Sequence, residues 1–193
     1  MRGIVMAGFQ IDAERLEWIN GDADDPRDLC LHGEATAVIG EECFTYYCTV
    51  SSTALYLLKS LTQDHLIGED DNQMLPCCGH FMIANDALTE VAIVGCTNGI
   101  DWSVIHEGAS VRLVTESGKE TIVSIEDYRR EIVRFADKIE AYYESCSPKI
   151  IGEDEYDRVA YTAFWNEWHR RRSFVPCGIR CGAITYEWSR VNF

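Results

Sequence analysis

Two short stretches gather side chains that bind metals and move protons: His32-Gly33-Glu34 and Pro76-Cys77-Cys78-Gly79-His80. Imidazole and thiolate are zinc ligands, and a carboxylate beside them can pass a proton between a metal-bound water and a substrate. Cys78 with His80, and Cys96 with His106, are the places where a thiol stands near a base along the chain, as nucleophilic cysteine chemistry requires. Core thiols and a hydrogen-bonded histidine would account for the same residues without any chemistry.

His-x-Glu followed by Pro-Cys resembles part of the signature of zinc-dependent nucleobase and nucleoside deaminases. The resemblance implies zinc held by His32, Cys77 and His80, with Glu34 as proton shuttle, in a zinc-dependent hydrolase. Two departures stand out. His80 replaces that family's final cysteine, and residues 34–39 alternate like a strand where the family has a helix start. A structural zinc site is a second arrangement, combining Cys77 or Cys78 and His80 with Cys177 and Cys181, whose C-x3-C spacing suits zinc.

Periodicity says which elements would position these groups. Short strands are expected at residues 3–10 and 15–19, followed by a turn-rich acidic loop at 21–26. Alternation through residues 29–39 predicts a half-buried strand with His32 and Glu34 on one face. A hairpin returns through Phe44, Tyr46, Cys48 and Val50. Ser51 or Ser52 would cap a helix carrying Ala54, Leu55, Leu58 and Leu61, ended by the acidic loop at 68–72.

Strands at 81–84, 91–96, 102–106, 111–115 and 121–125 then suggest an antiparallel meander. Within it, residues 95–102 are rich in turn formers and offer Asp101 beside Trp102. Ser124 would cap a helix over about residues 125–145, with the stripe Tyr128, Ile132, Phe135, Ile139 and Tyr142. Pro148 breaks it. A further helix carries Phe164 and Trp168 and ends in Arg170-Arg171-Arg172, cations that complement the helix dipole or pair with carboxylates. Residues 183–188 read as an added strand. The expectation is one α+β domain over 1–193, a largely antiparallel sheet covered by one short and two longer helices concentrated toward the C-terminus.

Composition bounds the function. The net charge of −15 over 193 residues disfavours direct binding to nucleic acid or an anionic membrane; it would raise the encounter rate with a basic protein or a cation, and solubility alone accounts for it equally simply. No run approaches the roughly 18 apolar residues that span a bilayer. An odd count of nine cysteines and too short an apolar run in residues 1–8 for export point to a reducing cytoplasm. The expected function is a small acidic cytoplasmic interaction protein without a cofactor, similar in composition to bacterial immunity proteins that neutralise cationic toxins. Its contact residues would be Asp22, Asp24, Asp25, Glu69, Asp70 and Asp71, with Trp165, beside the stripe of its helix, as an aromatic anchor.

Overall fold

The structure, a computed structural model, describes residues 8–68, 72–79, 81–152 and 154–174. It is a mixed α+β fold of antiparallel strands with three helices, the two long ones toward the C-terminus.

Strands β1 (Phe9–Glu17), β2 (His32–Ile39) and β3 (Glu42–Cys48) form one antiparallel sheet in that order. Its inner rows, Phe9, Ile11 and Ala13 on β1 and Ala35, Ala37 and Ile39 on β2, are buried, as the period of two demands. In place of two separate strands at 3–10 and 15–19 there is one strand. Residues 3–7 lie outside the described set, and a register shift between Glu14 and Glu17, with Arg15 at φ 52°, carries β1 through the expected gap.

Helix α1 (Val50–Lys59) is buried from Val50 to Leu58, so it is a central helix with no solvated stripe. It starts one residue before Ser51 and has Thr49 as N-cap without a side-chain cap. The serine hydroxyls are committed elsewhere: Ser51 Oγ accepts the Leu31 N–H at 3.2 Å, and Ser52 Oγ donates to the Gly79 carbonyl at 3.0 Å. The helix also stops short of the 68–72 loop. Ser60 ends it, its hydroxyl donating to Leu57 O and bonding Tyr128 Oη, each at 2.8 Å.

The remaining strands form three separate ladders instead of one meander. β8 (Trp102–Glu107), β9 (Ser110–Thr115) and β10 (Glu120–Ser124) make a three-stranded sheet. β5 (Phe81–Ala84) and β6 (Val91–Val94) make a hairpin, and β4 (Leu75–Pro76) pairs with β7 (Gly99–Ile100).

Helix α2 (Ile125–Ser145) follows its sequence signature. Ser124 Oγ accepts the Asp127 N–H, and Tyr128, Ile132, Phe135 and Ile139 are buried. Tyr143 completes that buried stripe, while Tyr142 is half-buried with its hydroxyl donating to the Leu16 and Ala23 carbonyls. Helix α3 (Glu155–Ser173) buries Ala160, Ala163, Phe164 and Trp168. Its three arginines do pair with carboxylates: Arg170 with Glu90, Arg171 with Glu167, Arg172 with Asp137. Trp18, Trp102 and Trp168 have no exposed surface, and each large apolar side chain so buried contributes about 1.5–3 kcal/mol. Among the described residues no helix is long and apolar enough to cross a membrane. Residues 183–188 lie outside the described set.

Candidate functional site: an acidic face and a three-thiol group

His32 and Glu34 share the outer face of β2, as alternation predicts. The His32 ring stacks on Tyr47 of β3, centroids 6.4 Å apart. Glu34 pairs with Arg15 at 3.4 Å. The Tyr47 hydroxyl donates to Glu17 at 2.7 Å, and burial together with that carboxylate pushes the phenol up to about 12. His32-Gly33-Glu34 thus opens a strand, not a helix.

The described residues able to hold a metal as a group are Cys77, Cys78 and Cys96, whose sulfurs all lie within 4.8 Å of one another. His32 and Glu34 are not part of that group. His80, Cys177 and Cys181 lie outside the described residues.

The thiol group is assembled by the short β4–β7 ladder, in which Leu75 faces Ile100 and Pro76 faces Gly99. The Cys77 N–H donates to Asn98 O, and the Thr49 N–H to Pro76 O, each at 3.1 Å, which pins the loop to the start of α1. Cys77 and Cys96 stand in direct sulfur contact as a disulfide, with Cα atoms 7.0 Å apart. Cys78 Sγ accepts the Cys96 N–H at 3.1 Å. Glycine is required on both sides of this approach: a Cβ at Gly95 would meet Cys78 O at 2.6 Å, and one at Gly79 would collide with the Ser52 hydroxyl.

The other thiols differ in kind. Burial pushes Cys30 up to about 12 and Cys48 up to about 11, whereas Cys43 is exposed on β3. His106, which sequence sets near Cys96, instead engages Asp64 at 2.7 Å. Asp101 is buried with His65 at 2.8 Å and accepts the Met74 N–H, so it holds chain segments together instead of lining an open surface.

The acidic loop is built by contacts that sequence does not reveal. Asp24 accepts the N–H and the hydroxyl of Ser147, the latter at 2.7 Å, and these bonds hold its carboxyl below the usual value. Asp25 accepts the Arg27 N–H at 2.9 Å, and Asp28 accepts the Ile19 and Cys30 N–H groups. Lys149 is turned inward, donating to Asp25 O at 2.7 Å with its ammonium over the Trp18 ring. The Ile150 N–H closes the clip on Pro26 O at 2.7 Å.

The clip leaves two large apolar side chains on the surface beside Asp22, Asp24 and Asp25: Ile19, 65% exposed, and Ile150, 60% exposed. Glu69, Asp70 and Asp71 lie outside the described residues. Trp165 is half-buried, edge-on to Tyr143, Tyr161 and Phe164 and stacked on His169. Sequence reasoning did not single out Ile19, Ile150 or the joint role of Cys78 and Cys96. Only the turn-rich 95–102 stretch carried a signal for the last.

Comparison of the chain with family models, with curated proteins and with solved structures found no match in any of the three.

Proposed function

We propose that this chain is an acidic binding protein that engages a basic protein partner, in the manner of a neutraliser of a cationic protein, through the face formed by residues 19–28 and 147–150. The observation that carries this reading is the pair of exposed isoleucines set among carboxylates. Apolar anchors supply contact area, and the surrounding negative charge steers a basic surface toward them. The segments are already bonded to one another, so little ordering entropy is lost on docking. Lys149 is turned inward onto the Trp18 ring and the Asp25 carbonyl, so its ammonium lies behind the face. Cytoplasmic location belongs to the same reading: Cys30, Cys43, Cys48, Cys78 and Cys146 carry free thiols, beside the one Cys77–Cys96 disulfide.

The test is affinity selection with the wild-type chain beside an Asp22→Asn/Asp24→Asn/Ile19→Ser variant, followed by calorimetry on the purified pair. The expected result is a basic protein retained by the wild type and not by the variant, with affinity falling steeply as salt rises from about 50 to about 500 mM, roughly half and five times the ionic strength at which the screening length is about 10 Å. Partners that are acidic, or that bind both chains equally, would contradict the reading.

A further inference from the structure

The three thiols of the β4–β5 and β6–β7 connections have no part in the acidic face. We propose that Cys77, Cys78 and Cys96 form a soft-metal site that takes one divalent ion of the zinc class as a three-thiolate centre.

Geometry comes first. Zinc–sulfur bonds of about 2.3 Å in a tetrahedron place sulfurs about 3.8 Å apart. All three sulfurs lie within 4.8 Å of one another, so once the Cys77–Cys96 bond is reduced those two sulfurs need only part to about 3.8 Å for the group to surround an ion. Although Cys77 and Cys78 are neighbours, the chain has left β4 at Pro76, so the alternation that sends successive strand side chains to opposite faces does not apply.

A second observation is the hydrogen bond from the Cys96 N–H to Cys78 Sγ at 3.1 Å. An amide donated to sulfur is the outer-sphere contact that orients a ligating thiolate and stabilises its charge. A disulfide between Cys77 and Cys96 would use two sulfurs and give the third, with its amide donor, no role. Their Cα separation of 7.0 Å also lies beyond the usual disulfide range of about 4.4–6.8 Å.

A thiol reductant first reduces the Cys77–Cys96 disulfide to two thiols and is itself oxidised to a disulfide. The three thiols then lose their protons to solvent on binding, and three thiolates with a dication leave one negative charge, shared with the amide dipole. Cys96 is exposed, so an ion has a way in, and the acidic chain raises the local concentration of cations. No carboxylate joins the group among the described residues. The ion therefore serves to tie two loops together, with its fourth position left to water or another donor.

The full chain is purified with a thiol reductant and without chelator, its zinc is measured by elemental analysis, and metal-free protein is titrated with cobalt(II). The site predicts about one zinc per chain and a sulfur-to-cobalt charge-transfer band. Cys78→Ser should lose that band and bind zinc at least about tenfold more weakly, while Cys43→Ser, on the exposed face of β3, should match the wild type. If Cys78→Ser does not fold by circular dichroism, the wild-type cobalt spectrum decides alone. Absence of zinc and of the cobalt band, recovery of a Cys77–Cys96 disulfide from the reduced preparation, or a Cys78→Ser variant with wild-type affinity would each overturn the proposal.

Discussion

Glu167 and Arg171, one turn apart on α3, form an ion pair buried at the junction of α1, α3 and β6: Arg171 Nε donates to the carboxylate at 2.6 Å, and Glu167 has no exposed surface. The second carboxylate oxygen accepts the Val91 N–H at 2.8 Å and faces Lys59 Nζ at 3.3 Å. Removing one partner from a buried pair strands the other charge. Glu167→Gln should cost about 3–5 kcal/mol in denaturant unfolding. Burial already holds the Lys59 ammonium below its usual value against the pull of Glu167, so Lys59→Met should cost clearly less than Glu167→Gln.

Acid should unfold the chain through several depressed carboxyls. Burial raises Glu140, but hydrogen bonds from His169 at 2.8 Å and Trp168 at 3.0 Å outweigh it and leave the group below its usual value. Asp64 is lowered by the His106 N–H and ring. A carboxyl depressed in the folded state adds stability that is present above the unfolded value, near 4, and is lost as pH falls through the folded one. Tm should therefore hold from pH 7 to about 5 and drop below about 4, and Glu140→Gln should flatten the acid limb. A Tm that falls just as steeply in that variant would remove Glu140 from the account.

Thiol reactivity should sort by environment. The thiolate is the reactive form, and Cys30 and Cys48 are buried with their ionisation pushed well up. Iodoacetamide at pH 8 should label Cys43 in the native chain and reach Cys30 and Cys48 only after unfolding, as read by peptide mass mapping. Rapid native labelling of Cys30 would contradict the buried core around Tyr143.

Local signals carried the elements whose stabilising contacts are local. Ser124 caps α2 because its partner is Asp127, three residues away, and the stripe from Tyr128 to Ile139 needs only the helical period. The errors fall where distant partners decide. Ser51 and Ser52 read as caps, but Leu31 and Gly79 take their hydroxyls. The gap expected after residue 10 vanished because Arg15 at a bulge lets β1 continue beside β2. His32 and Glu34 were correctly set on one face, whereas the thiol group depends on the β4–β7 ladder, a pairing that no local pattern reports. The acidic loop was legible as charge, but not the clip of Ser147, Lys149 and Ile150 that shapes it, which lies more than 100 residues along the chain.

The binding face is tested most directly by placing a photocrosslinking amino acid at Ile19, at Ile150 and, as a control on a different sheet, at Ile122, which is equally exposed at 65%. Irradiated in its native cell, the chain should give one discrete adduct from positions 19 and 150 with the same basic protein, and none with it from 122. The same adduct from all three positions, or an acidic protein captured at 19 and 150, would contradict the account.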